Sequence, residues 1–151
     1  MTQSPRSLKT LILFIVVVMG GGIVIGTQTA PAEWFDALIK PSFNPPSWLF
    51  APVWTLLYLC IAVAAWRVWP DGPMRRIWVA QLVLNFAWSP IFFVAHLMGL
   101  ALCVILLLLV TILIFIARAW EQDRVAAVLF VPYAAWVGFA SALNGAFLWL
   151  N

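Results

Sequence analysis

The stretch KPSFNPPSWLFAPVW, residues 40–54, sets four prolines and two tryptophans at the start of a long apolar run. Proline fixes its own φ and holds the preceding residue extended, so the first part of this stretch is predicted to be a stiff loop. From Pro41 to Trp66 the chain has 26 residues without Asp, Glu, Lys or Arg. A membrane-spanning helix needs about 20 apolar residues. The stretch therefore predicts a loop that leads directly into a transmembrane helix.

The composition agrees with a membrane protein. Of the 151 residues 66% are hydrophobic and 9% are charged, whereas soluble domains are about half apolar and about a quarter charged. The length suits one compact bundle without a separate soluble domain. The net charge of +3 is small and its carriers are scattered, so no nucleic-acid partner is predicted; the lipid bilayer is the expected environment.

Three further charge-free runs give the other spans. Residues 10–32 form a run of 23, residues 125–151 a run of 27, and residues 77–117 a run of 41. A 41-residue helix would be about 60 Å long, roughly twice the thickness of a bilayer core, so we expect a turn at residues 96–99. The prediction is an all-α integral membrane protein, a five-transmembrane-helix bundle in a single domain over residues 1–151. Its helices are expected at about 8–28, 48–68, 76–96, 99–119 and 124–149, with a lid-like loop at about 29–47.

The basic residues predict an orientation. With five spans, one side of the membrane carries seven of them and the other side carries only Lys40. Because loops rich in Lys and Arg stay in the cytoplasm, the N-terminus is predicted to be cytoplasmic. An alternative reading takes the N-terminal helix as a cleavable signal peptide ending near Ala30-Pro31-Ala32, which would leave four helices. The seven residues are Arg6, Lys9, Arg67, Arg75, Arg76, Arg118 and Arg124.

The membrane-embedded part offers little reactive chemistry. All five acidic residues fall in predicted loops, and no ionisable pair for a proton relay lies at bilayer depth. There is no carboxylate pair, metal-ligand spacing, phosphate loop or activated nucleophile, so neither an ordinary hydrolase nor a metal site is predicted. Cys60 and Cys103 lie in apolar runs and are interpreted as small buried hydrophobic residues.

Two helix faces combine aromatic with neutral polar residues. The first carries Gln81, Asn85, Trp88 and Phe92 at helical spacing. On the last helix, a bulky stripe is predicted to face a roomier space, and small residues at every fourth position are predicted to allow close helix packing. The bulky stripe is Tyr133, Trp136, Ala140, Leu143, Asn144 and Phe147, and the small residues are Ala134, Gly138, Ala142 and Ala146.

The tryptophans fall into two groups. An interfacial aromatic belt accounts for most of those near predicted helix ends, but Trp54, Trp88 and Trp136 lie inside helices. One hypothesis is that these three line a single pocket together with Asn85, since ligand pockets are mostly apolar with a few polar groups. The alternative is that the tryptophans pack in the core and the asparagine ties helices together. The belt residues are Trp34, Trp48, Trp66, Trp69, Trp78, Trp120 and Trp149.

Three blocks of sequence carry a family resemblance. They are KPSFNPPSWLFAPVWTLLY at 40–58, QLVLNFAWSPIFF at 81–93 and PYAAWVGFASALN at 132–144. Together they resemble the TspO/MBR family, that is, the tryptophan-rich sensory protein, translocator protein or peripheral benzodiazepine receptor family. The resemblance extends over essentially the whole chain.

The resemblance implies a dimeric five-helix bundle whose first loop covers a pocket. It implies binding of porphyrins such as protoporphyrin IX and haem, of sterols, and of isoquinoline or benzodiazepine compounds, with no required cofactor. Trp34 and Trp48 match loop aromatics linked to porphyrin binding. The matching pocket positions are Phe50, Ala51, Trp54, Asn85, Trp88, Trp136, Ala140 and Leu143.

Two departures from the family pattern bear on the ligand. Residues 145–149 read GAFLW, without the Tyr and Arg of the sterol motif in animal members, which argues against sterol (cholesterol) binding. Leu100 stands where animal members have a ligand-facing Trp, so weaker binding of the synthetic drugs is expected.

Three functions follow from the resemblance. The first is a receptor or translocator that senses or transports tetrapyrroles. The second is an enzyme that degrades bound porphyrin in light, with Trp54 and Trp136 as its redox-active residues. The third, a transporter proper, lacks the charged residues and inverted repeats that coupled transport commonly uses. The predicted homodimer has thin support in the sequence, from Ala80 and Ala87 on one face of a helix.

Overall fold

The structure, a computed structural model, describes residues 7–151. All regular secondary structure in this range is helical. A 3-10 helix at Ser47–Leu49 leads into the third α-helix. The α-helices are α1 (Leu8–Gln28), α2 (Glu33–Ala37), α3 (Phe50–Val68), α4 (Gly72–Phe93), α5 (Met98–Gln122) and α6 (Arg124–Leu150).

Side-chain caps fix three of the helix starts. The Ser7 hydroxyl accepts a hydrogen bond from the Thr10 backbone N–H at 3.2 Å. Asp71 caps α4 in the same way at 2.8 Å, and Asp123 caps α6 at 3.1 Å. The Asp71 cap explains why α4 begins at Gly72 rather than at about 76, where the helix was predicted to start, so that Arg75 and Arg76 lie within its first two turns.

The predicted turn between α4 and α5 is confirmed. Helix α4 ends at Phe93 and α5 begins at Met98. Between them His96 has a backbone φ of 58°, in the left-handed region that residues other than Gly rarely adopt. By contrast, the predicted loop at 29–47 is not wholly irregular, because it contains α2 and ends in the 3-10 helix.

Within residues 7–151, four helices are long and apolar enough to cross a membrane: α1, α3 with its preceding 3-10 helix, α5 and α6. Helix α4 is long enough, at 22 residues, but it is not among these four. The physical reason is its polar content: Arg75 and Arg76 near its start, and Gln81, Asn85 and Ser89 further along. The predicted count of five spans is therefore not established by length and composition.

The long helices close into a ring in the order α1, α3, α6, α5, α4, and back to α1. At one end of the bundle, the Trp66 indole N–H donates to the Ser7 carbonyl at 3.2 Å, and Arg67 Nε contacts both Asp123 carboxylate oxygens at 2.8 and 3.0 Å. Six of the seven basic residues assigned to one side lie at or near this end. The seventh, Arg6, lies outside the described residues. Lys40 lies at the opposite end, where it caps α2 through the Phe35 and Asp36 carbonyls.

Three predictions about side-chain environment are wrong. Trp78 is a core residue, 3% exposed, whose indole donates to the Ile61 carbonyl at 3.0 Å, so it is no belt residue. Cys103 is exposed on α5 rather than buried. Neither Cys60 nor Cys103 forms a disulfide. On α6 the bulky stripe is the side that packs inward, whereas on the small-residue side Ala142 is exposed and Gly138 has open space beside it.

Candidate functional site

A cavity of about 480 Å³ lies between α1, α3 and α4. It occupies the half of the bundle next to the loop at 29–49, because it is bounded by the second half of α1, the first half of α3 and the second half of α4. Its wall is largely apolar and aromatic. The lining residues are Met19, Gly22, Ile23, Ile25, Gly26 and Thr27 from α1, Ser47, Phe50, Ala51, Trp54, Thr55 and Tyr58 from the 3-10 helix and α3, and Asn85, Trp88 and Ser89 from α4.

Glycines let α1 approach the aromatic wall. A Cβ atom on Gly22 would overlap the Tyr58 ring, and one on Gly21 would lie 2.7 Å from the Phe86 ring. Gly26 has nothing within 4 Å of its Cβ position and faces the cavity. The two α1 glycines therefore serve different purposes: Gly22 allows close packing on α3, and Gly26 leaves the cavity open.

A chain of four polar side chains runs inward from the cavity. The Tyr58 hydroxyl donates to Asn85 Oδ1 at 3.2 Å, and Asn85 Nδ2 donates to the Tyr133 hydroxyl at 2.7 Å. Tyr133 then donates to Gln81 Oε1 at 2.9 Å. The chain joins α3, α4 and α6. Asn85 thus fulfils both hypotheses made for it, since it ties helices together and also lines the cavity.

Trp88 is anchored from behind by the last helix. Its indole N–H donates to Asn144 Oδ1 at 3.0 Å, and Asn144 Nδ2 donates to the Met98 carbonyl at 3.0 Å. Trp88 also stacks on Phe92 with ring centroids 5.4 Å apart. These contacts leave the Trp88 ring little freedom, so it forms a preorganised wall of the cavity.

The short helix α2 anchors the loop over the neighbouring part of the bundle. Trp34 stacks on His96 at 4.0 Å between ring centroids, and Phe35 packs on Phe93 at 5.4 Å and Phe147 at 5.4 Å. None of the loop residues before the 3-10 helix lines the cavity. Ser47, the first residue of the 3-10 helix, does line it.

Five of the ten predicted ligand-binding residues line this cavity and five do not. Phe50, Ala51, Trp54, Asn85 and Trp88 are brought together. The others lie elsewhere: Trp34 against His96, Trp48 on the surface at 70% exposed, and Leu143 buried in a cluster with Phe92, Ala101 and Phe147.

Helix α6 accounts for the remaining two. Trp136 packs against Phe50 at 5.7 Å and against Phe139 at 5.5 Å, and Ala140 packs on the main core. No α6 residue is among those lining the cavity. The expectation that the bulky side of α6 faces this open space is wrong. Of the two tryptophans proposed for photochemistry, the cavity therefore contains only Trp54.

Sequence reasoning missed the α1 wall and Tyr58. Helix α1 carries no stripe of polar residues that would have indicated a cavity wall. Tyr58 was quoted only inside a longer block. The available signal was its spacing: Trp54 and Tyr58 are four residues apart and share one helix face, and their rings are 5.2 Å apart.

The chemistry of the cavity favours binding. Its lining includes no Asp, Glu, Lys, Arg or His, and the described residues contain no cluster of three His, Cys, Asp or Glu residues able to hold a metal ion. What the cavity offers is aromatic surface, hydroxyl groups and one amide.

Comparison with known proteins decides the family. The TspO/MBR family model matches residues 12–150. The chain belongs to the TspO/MBR family. It is 35% identical over 144 residues to the tryptophan-rich sensory protein of Cereibacter sphaeroides, a match that covers 93% of this chain and 91% of the relative. It is 36% identical over 155 residues to the tryptophan-rich protein TspO of Chlorobaculum tepidum, covering 97% and 98%. The translocator protein of Homo sapiens is 38% identical over 135 residues, covering 82% and 79%.

Membership of the TspO/MBR family and the four apolar helices together identify a multi-pass membrane protein. Of the three blocks that carry the sequence resemblance, two come together at the cavity and the third lies behind it. The first two supply α3 and α4 of the cavity, whereas the third, on α6, supports it from behind through Tyr133 and Asn144.

Proposed function

We propose that this TspO/MBR protein is a receptor or translocator that binds porphyrins such as protoporphyrin IX and haem in the cavity between α1, α3 and α4, and that it acts in tetrapyrrole sensing or transport. The observation that carries the proposal is the cavity itself. Its volume of about 480 Å³ falls in the usual range of ligand pockets, about 300–1,000 Å³, and its wall is mostly apolar with a few polar groups. The names of the relatives, tryptophan-rich sensory protein and translocator protein, support this proposal.

The aromatic residues suit a flat, apolar ligand. Trp54, Trp88 and Phe50 present ring surfaces on two sides of the cavity, and stacked or edge-to-face aromatic pairs add about 0.5–1.5 kcal/mol each beyond simple burial. Because no cationic side chain lines the cavity, the carboxylates of a porphyrin would remain at the opening, in water or among lipid headgroups.

A dark titration with protoporphyrin IX tests the proposal. Quenching of tryptophan fluorescence is followed in the wild type, in Trp54→Ala and in Trp120→Ala. Trp120 is a matched control, since it is 47% exposed on α5 and lies outside the cavity. We expect saturation near one ligand per chain in the wild type and in Trp120→Ala, and binding weakened at least tenfold in Trp54→Ala. Non-saturating quenching that is the same in all three proteins would show mere partition into micelles and would refute the proposal.

We also propose that α4 crosses the membrane as the fifth span and that the N-terminus is cytoplasmic. Support comes from the charge distribution: Lys9, Arg67, Arg75, Arg76, Arg118 and Arg124 lie towards one end of the bundle and Lys40 lies at the other. Apart from the Gln81 amide nitrogen, the polar side chains on the inner part of α4 bond to neighbouring helices, which makes a spanning position acceptable. Labelling of single cysteines placed at Lys40 and Arg76 in intact cells tests this topology, with labelling from outside expected only at position 40.

The proposed homodimer uses the outer face of α4. Ala80 and Val83 are exposed there, and Ala87 is half-buried, so two such helices could approach closely. Crosslinking through a cysteine at Ala80 in membranes is expected to yield a dimer; absence of a crosslink there would remove this face as the interface.

A further inference from the structure

The polar chain behind the cavity leaves one group without a protein partner. With the hydrogen bonds running from Tyr58 through Asn85 and Tyr133 to Gln81, the Gln81 amide nitrogen is the only buried side-chain nitrogen or oxygen of the described residues that makes no hydrogen bond. Gln81 is 0% exposed. Buried unpaired N–H donors are rarer in native proteins than under-satisfied carbonyl oxygens. With the hydrogen bonds running in this direction, the chain therefore ends on an unpaired N–H donor, which is less favourable than an under-satisfied oxygen.

The same four side chains can also be bonded in the opposite direction. Rotating each amide by 180° exchanges its oxygen and nitrogen, and hydroxyl groups act as donors or acceptors. Gln81 then donates to Tyr133, Tyr133 donates to Asn85, and Asn85 donates to Tyr58. The Gln81 nitrogen gains an acceptor, the Gln81 oxygen is left under-satisfied, and the Tyr58 O–H is released to point into the cavity.

The released Tyr58 proton has few competitors. The Thr55 hydroxyl donates to the Ala51 carbonyl at 2.8 Å, and the Thr27 hydroxyl donates within α1 to the Ile23 and Val24 carbonyls at 3.0 Å each. Both hydroxyls are therefore occupied as donors by their own helices. Tyr58 has no backbone carbonyl acceptor among its hydrogen bonds, so a reversal of the chain frees its O–H. Ser47, with its hydroxyl, and Trp54, with its indole N–H, also line the cavity, and Tyr58 is the donor among these that belongs to the chain.

We propose that Tyr58, Asn85, Tyr133 and Gln81 form a reversible hydrogen-bond chain through which the cavity reads an uncharged hydrogen-bond acceptor, such as a carbonyl oxygen, on its ligand. The inference goes beyond the proposed porphyrin ligands, whose own oxygen atoms all belong to carboxylates, and it rests on the proposed function only for the cavity as the binding site. A ligand acceptor that bonds to the Tyr58 O–H stabilises the direction of the chain in which the Gln81 nitrogen also has an acceptor. An anionic acceptor is disfavoured, because no cation lines the cavity to offset its desolvation. Tyr58 is the residue that contacts the ligand, and Gln81 is a positioning residue that acts through it.

Fluorenone and fluorene are a matched pair of probes, since these flat tricyclic molecules differ in one C=O against one CH₂ group. Binding of both is measured by equilibrium dialysis in one detergent, relative to protein-free micelles. We expect the wild type to favour fluorenone by about 3- to 10-fold, the factor that one net hydrogen bond gives. The carbonyl stretching band of bound fluorenone should lie at lower frequency than in empty micelles. Tyr58→Phe should bind fluorene unchanged, lose the preference and lose the band shift.

Gln81→Met provides the sharper test, because Gln81 does not line the cavity. Without the amide, Tyr133 has no acceptor in the direction that ends on Gln81, whereas in the opposite direction it still donates to Asn85. The variant should therefore increase the preference for fluorenone a further 2- to 3-fold and enlarge the shifted carbonyl band. A residue that merely supports the fold would not produce such a gain. Fluorene binding reports whether the cavity is intact, and Gln81→Leu replaces the variant if it is not.

The outcomes separate the claims. Equal binding of the two probes by the wild type, or a preference that survives in Tyr58→Phe, would overturn Tyr58 as the reading group. An unchanged or reduced preference in Gln81→Met or its substitute would overturn the reversible chain. If these probes behave as expected while protoporphyrin IX fails to saturate, the proposed porphyrin function falls and the acceptor-reading cavity stands.

Discussion

Replacing Gly22 by alanine should push α1 away from the cavity's inner wall. The added Cβ would overlap the Tyr58 ring, and that ring cannot swing aside easily, because its centroid lies 5.2 Å from Trp54 and 6.1 Å from Phe86. Forcing an extra methyl group into such a packed site costs about 1–3 kcal/mol. Alanine also improves helix propensity over glycine by about 1 kcal/mol, so a comparison with the wild type alone would hide part of the cost.

Gly20→Ala isolates the steric term. Gly20 also lies inside α1, but nothing stands within 4 Å of its Cβ position. Both variants gain the same helix propensity, so Gly22→Ala should be less stable than Gly20→Ala by the packing cost of about 1–3 kcal/mol. For a chain of this size each kcal/mol corresponds to about 2–4 °C, which predicts a melting temperature lower by roughly 2–12 °C in thermal unfolding in detergent. Equal melting temperatures would show that α1 does not press on Tyr58 and would refute the packing described here.

Two further predictions concern the ties between helices. Asp123→Ala should destabilise the protein by about 2–3 kcal/mol, because it removes both the α6 cap and the charge-assisted contact with Arg67. The control Asp71→Ala removes a cap alone and should cost only about 1 kcal/mol. Equal losses of stability in thermal unfolding of the two variants would contradict this prediction. Asn144→Leu should cost about 1–3 kcal/mol, because it leaves the Trp88 indole without its acceptor; an unchanged melting temperature would mean that this bond contributes nothing net.

Much of the fold follows from the distribution of charge along the sequence. Charge-free runs located α1, α3, α5 and α6, and the length of the longest run required a turn, which is found between Phe93 and Met98. The rule failed at the start of α4. Gaps between charges cannot show a helix whose first turn contains arginines, and there the capping pattern Asp71-Gly-Pro was the better signal.

The site was only half predictable. The face of α4 was assigned correctly, because Gln81, Asn85 and Phe92 are all buried and Trp88 borders the cavity. Periodicity shows that residues share a face, but it does not show what that face meets. The α6 stripe has the same aromatic and polar pattern, yet it fills the core, and the opposite cavity wall comes from α1, whose wall residues before Thr27 are all apolar. Which helices are neighbours is a property of the ring order, and no local pattern encodes it.

The polar residues of α4 explain two observations: the helix fails the composition test for a membrane span, and it lines the cavity. A composition test penalises every polar residue in a helix, whether or not that residue meets lipid. In α4, Gln81 and Asn85 bond to Tyr133, and Trp88 bonds to Asn144, so these polar groups are shielded by α6 and α3. A helix can carry such groups across a bilayer only where the bundle satisfies them. Polar residues kept at depth are costly unless they serve recognition or helix contact; in α4 they make helix contacts, and Asn85 and Ser89 also line the cavity. The helix that looks least like a membrane span is therefore the one that should be searched first for the binding site.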